Sequence, residues 1–191
     1  MKPDRRTILV SAALNTVEAA AEARGWDAYP ALLGLFDSTN HTETVGSLDV
    51  EELPIDREVW RLHTTPAVGV TLPYRIGLQA ITDALTTVKA PQLRTWIRAQ
   101  IGPVIAVAFL GEGLDTSDVG RKPATYGPPT DPAGVPVRAL TAYDIDGRYY
   151  QMLRVRGADT TTTTILDDPS AQVQATAIVA SLRRLLAAAR P

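Results

Sequence analysis

The sequence predicts a single-domain α+β protein, built from a mostly antiparallel sheet with helices packed on one face. The chain has 191 residues, of which 45% are hydrophobic, and this is enough for one core without metal or disulfide support. Segments of helical periodicity flank apolar and β-branched runs instead of alternating regularly with them. Asp146-Gly147 separates two strand-like segments, as in an antiparallel hairpin. No repeat or change in composition divides residues 1–191, which are expected to form one domain.

The first predicted element is an amphipathic helix from Asp4 to Arg24. Its apolar residues recur at helical spacing, and Gly25 is a natural residue for the end of a helix. Basic and apolar residues in this segment also resemble part of a signal peptide. However, Asp4 interrupts the basic patch and Asn15 ends the apolar run. We therefore expect the first helix of a cytoplasmic protein.

The remaining elements follow from apolar periodicity and from the positions of proline and glycine. In order, they are strands over 31–36 and 45–53, helices over 78–88 and 91–101, a central strand Pro103–Leu110, a loop Gly111–Val135, hairpin strands Pro136–Ile145 and Arg148–Arg156, a strand Thr160–Leu166 and a last helix that starts at Asp168. Pro103–Leu110 is expected to be central because it is apolar on both faces. Gly111–Val135 is rich in Gly, Pro and Asp and is expected to be a functional or mobile loop.

Composition excludes several classes of function. The chain has no cysteine, so disulfides, thiolate zinc sites and cysteine nucleophiles are excluded. The formal net charge of −2 argues against nucleic acid or an anionic membrane as a partner, since both attract basic proteins. No run of about 20 apolar residues is present to span a bilayer. Common nucleotide-binding, nucleophile and metalloprotease motifs are also absent, so no cofactor is predicted.

The predicted hairpin supplies a candidate binding surface. Counting outward from a two-residue turn at Asp146-Gly147 pairs Tyr143 with Tyr150. Because side chains alternate along a strand, one face then carries Tyr143, Tyr150, Met152, Arg154 and Arg156. Tyrosine and arginine bind anions and protein partners by stacking and by charge-assisted hydrogen bonds. The alternative is an ordinary solvent-facing surface of an antiparallel sheet.

Two carboxylates directly after the central strand are candidate catalytic residues. Glu112 and Asp115 lie among glycines at the start of Gly111–Val135, where the chain leaves a buried strand. Such a pair suits acid/base chemistry or the binding of a divalent cation. A turn exposed to solvent is the alternative.

A metal site is considered at His41, Glu43 and His63. In an extended segment His41 and Glu43 would point the same way, and His63 would supply a third ligand. No known ligand spacing connects these residues. Surface or capping histidines are therefore the simpler interpretation.

The turn Gly25-Trp26-Asp27-x-x-Pro30, placed between a helix and an apolar strand, resembles uncharacterised small proteins of GC-rich actinobacteria and their phages. Those proteins also tend to have a later apolar strand, an arginine-bearing hairpin strand before an Asp-Gly turn, and a closing helix rich in Ala and Leu. The corresponding segments here are Pro103–Leu110, Val137–Asp144, Asp146-Gly147 and Ser170–Ala189. The resemblance implies this outline and no particular activity.

A non-enzymatic binding or assembly module is the function that the sequence favours. It would act through the hairpin face and the Gly111–Val135 loop on a protein partner, a small anionic ligand or a second copy of the chain. Pairing of two copies along Thr160–Leu166 would give a homodimer. A structural protein of a phage or a cell belongs to the same class.

The main alternative is a hydrolase or transferase that uses Glu112 and Asp115. Arg138 or Arg154 would then hold an anionic substrate. An enzyme is expected to gather these residues around one concave pocket, whereas a binding module is expected to present a flat aromatic and arginine surface. Nucleic-acid binding by the same surface is a third hypothesis, which predicts a steep dependence on salt.

Overall fold

The computed structural model of the chain describes residues 3–38, 48–62, 74–87, 91–100, 102–115, 125–126 and 135–190. In chain order the described elements are α1 (Pro3–Arg24), β1 (Ala31–Asp37), β2 (Leu48–Glu52), α2 (Arg57–Leu62), α3 (Tyr74–Thr86), α4 (Gln92–Arg98), β3 (Val104–Asp115), β4 (Thr125–Tyr126), β5 (Val135–Asp144), β6 (Tyr149–Val155), β7 (Thr161–Leu166), α5 (Ala171–Gln174) and α6 (Ala177–Ala189). Every strand pair among these is antiparallel, and the predicted α+β class is confirmed.

β3 lies in the middle of the sheet, whose strand order is β2-β1-β3-β5-β6-β7, with β4 paired to β3. Its apolar first half is buried on both faces, as the sequence predicts for a central strand. The strand does not end at Leu110, because β5 holds it extended from Gly111 opposite Ala139 to Asp115 opposite Val135. The predicted loop is therefore wrong in its first residues, which are strand. Residues 116–124 and 127–134 of that loop lie outside the described part.

One face of the sheet packs against α2, α3, α4 and α6. Trp60 of α2 contacts both the sheet and α3, with its ring centroid 5.9 Å from that of Phe109 and 6.5 Å from that of Tyr74. Leu182 and Leu185 of α6 are almost fully buried in the same core. Apolar residues at helical spacing in α3 and α6 direct one side of each helix to this face.

α1 packs on the opposite face. Val10 and Leu14 form a second core with Leu35, Leu140 and Met152 of the sheet. Where α1 lies over β5 and β6, helices pack on both faces of the sheet. This arrangement places the charged residues of α1 directly against those of the sheet.

The β5–β6 hairpin forms, but its turn differs from the predicted one. Asp144 N–H donates to the Arg148 carbonyl (3.1 Å) and Gly147 N–H donates to the Asp144 carbonyl (3.1 Å), which closes a loop of Ile145, Asp146 and Gly147. Only Gly147 of this loop has a positive φ, at 89°, whereas a type I′ turn needs two such residues. The Asp144 carboxylate accepts hydrogen bonds from the N–H groups of Asp146 (2.8 Å) and Arg148 (3.0 Å), and this stabilises the longer loop.

The longer loop shifts the pairing by one residue. Tyr143 pairs with Tyr149, and Tyr150 pairs with Ala142. Because a one-residue shift moves every side chain of a strand to the other face, Tyr143 and Tyr150 lie on opposite sides of the sheet. Both rings are buried, Tyr143 at 9% exposure and Tyr150 at 1%. The predicted aromatic and arginine surface is therefore wrong.

Candidate functional site

Arg138 is the centre of a buried group of charged residues beneath α1. It lies directly opposite Glu112 in the β3–β5 register, and its Nε and Nη2 donate to Glu112 Oε1 at 3.2 and 3.1 Å. Its Nη1 donates to Glu22 Oε2 (2.8 Å) and its Nη2 to the Gly25 carbonyl (2.6 Å). The side chain is only 2% exposed. These bonds offset the loss of hydration that a buried guanidinium would otherwise suffer.

Arg154 extends this group on the next strand. It pairs with Arg138 across β5 and β6, and it forms a bidentate ion pair with Glu18, with Nε to Oε1 at 2.5 Å and Nη2 to Oε2 at 2.7 Å. The hydrogen bond to Glu18 raises the pKa of Arg154. We call Glu18, Glu22, Glu112, Arg138 and Arg154 the ionic cluster. It fastens α1 to the sheet.

The turn after α1 is attached to the same cluster. The Trp26 ring lies 4.4 Å from the Arg138 guanidinium and 5.4 Å from that of Arg156, at distances typical of cation–π contacts. Arg156 also donates to Asp27 Oδ2 at 2.9 Å. Asp27 has a φ of +68°, and its N–H donates to Glu112 Oε2 at 2.7 Å. Both oxygens of Glu112 are thus occupied by groups of the chain itself.

A cavity of about 350 Å³ lies beside the ionic cluster, and we call it the polar cavity. It is lined by Ala21, Arg24, Gly25, Asp27, Ala28, Tyr29, Pro30, Ala31, Glu52, Ile55, Arg57, Trp60, Leu110, Gly111, Glu112 and Arg138. Arg138, Glu112 and Asp27 are paired as described above. Within the described part of the chain, the exposed side chains of Arg24, Arg57 and Glu52 make no ion pair.

A second cavity, of about 310 Å³, runs between α1 and the outer strands of the sheet, and we call it the apolar cavity. It is lined by Ala13, Thr16, Val17, Ala20, Arg24, Ala31, Leu33, Leu48, Val50, Glu52 and Leu110. Four residues line both cavities, namely Arg24, Ala31, Glu52 and Leu110. The two cavities therefore form adjoining parts of one cleft along α1.

The predicted carboxylate pair does not form. Glu112 lies in the ionic cluster and lines the polar cavity, but Asp115 is three positions further along the same regular strand. Residues at that spacing point to opposite faces of a sheet, so Glu112 and Asp115 do not share a site. The structure brings Glu112 and Arg138 together around a concave pocket and leaves Asp115 outside it.

Tyr150 is buried in the core and does not lie on a binding surface. Its hydroxyl donates to Asp144 Oδ2 at 2.8 Å, next to the hairpin turn that Asp144 stabilises. Burial and this hydrogen bond raise the pKa of Tyr150. Tyr143 lies on the other face, 5.7 Å from the Arg183 guanidinium of α6. Arg154 is committed to the ionic cluster, and Arg156 to Asp27.

The candidate metal ligands His41, Glu43 and His63 lie outside the described residues. Among the residues that are described, no three His, Cys, Asp or Glu side chains are grouped so that they would hold a metal ion. None of the described helices has the length and apolar character needed to cross a membrane.

Sequence reasoning missed Arg24, Glu52 and Arg57, because nothing in their local pattern distinguishes them from ordinary surface charges. Glu18 and Glu22 did carry a signal. Their four-residue spacing puts both carboxylates on one side of α1, which is otherwise apolar where it faces the sheet. Acidic residues on the buried side of a helix require cationic partners, and the sheet supplies them.

No protein-family model matches this chain, and no curated protein or solved structure compared with it matches either.

Proposed function

We propose that this chain is a non-enzymatic binding module that holds a small anionic molecule in the polar cavity. The observation that supports this function is that two guanidinium groups, those of Arg24 and Arg57, line one cavity and make no ion pair with the described residues. Guanidinium groups make bidentate, charge-assisted hydrogen bonds with carboxylates and phosphates. An anion in the cavity would satisfy both groups at once.

The other charged groups of the cavity favour binding over catalysis. Arg138 donates to Glu22, Glu112 and Gly25, so its nitrogens are largely used within the protein. Glu112 accepts from Arg138 and from the Asp27 N–H, so both of its oxygens are used within the protein, and Asp115, the acid/base partner that the sequence suggested, points to the opposite face of β3. The hydrolase or transferase hypothesis requires that pair, whereas a binding site requires only the cavity and its free cations.

The test is calorimetric titration of the protein with inorganic phosphate and with 4-methylpentanoate, supported by intrinsic tryptophan fluorescence, since Trp60 lies in the cavity wall. We expect saturable binding of at least one anion. Arg24→Gln and Arg57→Gln together should weaken it by about tenfold or more, which corresponds to roughly 1.4 kcal/mol. Arg98→Gln, an exposed arginine of α4 outside both cavities, is the matched control. Anion binding that survives the double substitution, or no binding of either anion, would refute the proposal.

The assembly hypothesis is favoured by a separate observation at the edge of the sheet. In the described part of the chain β7 pairs only with β6, and Thr162, Thr163 and Thr164 are exposed. β7 carries no charge and no proline, the features that usually prevent edge strands from pairing with other chains. We propose that two copies pair along β7 to form a homodimer with a continuous sheet.

Light scattering at micromolar concentration tests this assembly. The dimer predicts twice the chain mass of 20.5 kDa. Thr162→Lys with Thr164→Lys should return the protein to the monomer mass because like charges would meet across the twofold axis. Thr87→Lys, at an exposed position just after α3, should leave the dimer intact. A monomeric wild-type protein would rule this assembly out.

A further inference from the structure

The geometry points to a more specific ligand for the proposed binding site, namely a zwitterion with an apolar side chain, of the α-amino acid class. This inference rests on the proposed function and adds two features to it. The first is an unpaired carboxylate between the two cavities. The second is the apolar cavity that adjoins the polar one.

Glu52 is the reason to expect a positive charge on the ligand. It is the last residue of β2, its side chain lines both cavities, and it makes no ion pair with the described residues. Arg24 also lines both cavities, so the described part of the chain places a cation and an anion at the junction that do not form an ion pair with each other. A purely anionic ligand would be repelled by Glu52. A ligand with a carboxylate and an ammonium group is attracted to both sides.

The apolar cavity is the reason to expect a hydrocarbon side chain. Leu48 and Val50 share the face of β2 that carries Glu52, because residues two apart in a strand point the same way. Leu33 lies opposite Glu52 on β1, and Val17 approaches from α1. A ligand anchored by its charges at the junction would direct its side chain between α1 and the sheet. Cavities of 310 and 350 Å³ lie at the small end of the range for ligand sites, which suits a single amino acid.

A series of four probes separates the parts of this ligand in calorimetric titrations. L-Leucine carries all three groups, 4-methylpentanoate lacks the ammonium group, 3-methylbutylamine lacks the carboxylate, and glycine lacks the side chain. We expect L-leucine to bind at least tenfold more tightly than each of the other three probes. L-Phenylalanine should also bind more tightly than glycine, because the apolar cavity is open along α1.

Substitutions at adjacent positions test the assignment of Glu52. Glu52→Gln should abolish the preference for L-leucine over 4-methylpentanoate, and 4-methylpentanoate itself should bind at least as tightly as it does to the wild type, because the repulsion by Glu52 is removed. Glu51→Gln is the matched control, since Glu51 is an exposed neighbour whose side chain points to the other face of β2. Val50→Asp should weaken L-leucine binding and leave glycine unaffected.

The outcomes distinguish this inference from the function on which it rests. If 4-methylpentanoate binds as tightly as L-leucine, and binding still depends on Arg24 and Arg57, the anion site stands and the zwitterion is overturned. If Glu52→Gln keeps the full preference for L-leucine, the role of Glu52 is overturned. If none of the four probes binds but inorganic phosphate does, the zwitterion is overturned and the anion site stands. If inorganic phosphate does not bind either, both proposals fall.

Discussion

Replacement of Arg138 by methionine should be among the most destabilising substitutions in this protein. Methionine fills a similar volume without the charge, so the change isolates the electrostatic contribution. It leaves the carboxylates of Glu22 and Glu112 without the Arg138 guanidinium. In the native protein Arg138 Nη1 lies 2.8 Å from Glu22 Oε2, and Arg138 Nη2 lies 3.1 Å from Glu112 Oε1. Removal of one partner from a buried ion pair costs about 3–5 kcal/mol.

The structure places the expected loss at the lower end of that range. Glu112 is 15% exposed and will stay poorly hydrated, but Glu22 is 38% exposed and can recover water. We therefore expect Arg138→Met to lower the free energy of unfolding by about 3 kcal/mol. In a domain of this size that corresponds to a fall of roughly 6–12 °C in the melting temperature.

Urea denaturation followed by circular dichroism measures this loss. Combining Arg138→Met with Glu112→Gln removes the more buried of the two uncompensated charges and should recover about 1–2 kcal/mol of the loss. Arg184→Met is the control, because its ion pair with Asp83 is exposed on both sides and should contribute less than about 1 kcal/mol. A loss for Arg138→Met no larger than that of the control would refute the electrostatic role of the cluster.

Two further predictions concern single residues. The pKa of Tyr150 is raised from 10.0 by burial and by the hydrogen bond to Asp144, so the native state keeps a proton that the unfolded chain loses at high pH. The free energy of unfolding should therefore not depend on the ionisation of Tyr150 below about pH 10. Above that pH it should fall by at most about 1.4 kcal/mol per pH unit. Urea denaturation midpoints measured from pH 8 to 11 should fall less steeply with pH in Tyr150→Phe than in the wild type. An equal fall in both proteins would contradict this role of Tyr150. Gly102→Ala should cost about 3 kcal/mol or more, because φ is +92° and the new Cβ would clash with the Asp37 carbonyl oxygen. Gly157→Ala, with φ +84° and no atom within 4 Å, should cost only about 1 kcal/mol, so equal losses in thermal melts would exclude the clash.

The elements of the fold were predictable because they depend on local patterns. Apolar spacing indicated α1 and α6, and an apolar run on both faces indicated β3. The register of the hairpin was not predictable from Asp146-Gly147 alone. The side chain of Asp144 competes for the backbone N–H groups of the turn, and this lengthens the loop by one residue.

The candidate site was harder to predict because its residues are distant in sequence. Glu112 was identified, but it was expected in a loop beside Asp115. Residues 111–115 are strand because β5 pairs with them, and this pairing cannot be deduced from the sequence of β3 alone. Arg138 was considered only as a holder of substrate. Its actual partner Glu22 is separated from it by 116 positions. A periodic pattern reports which side of an element is buried and does not report what lies against it.

The ionic cluster also has a consequence for the order of events during biosynthesis. α1 is translated well before the β5–β6 hairpin, since Glu18 and its partner Arg154 are 136 positions apart in sequence. A nascent helix of this kind presents acidic groups that have no counterpart until the hairpin has been translated. Contacts of such long range slow folding, because the loop between them must close first. α1 should accordingly dock on the sheet only after the β5–β6 hairpin has formed.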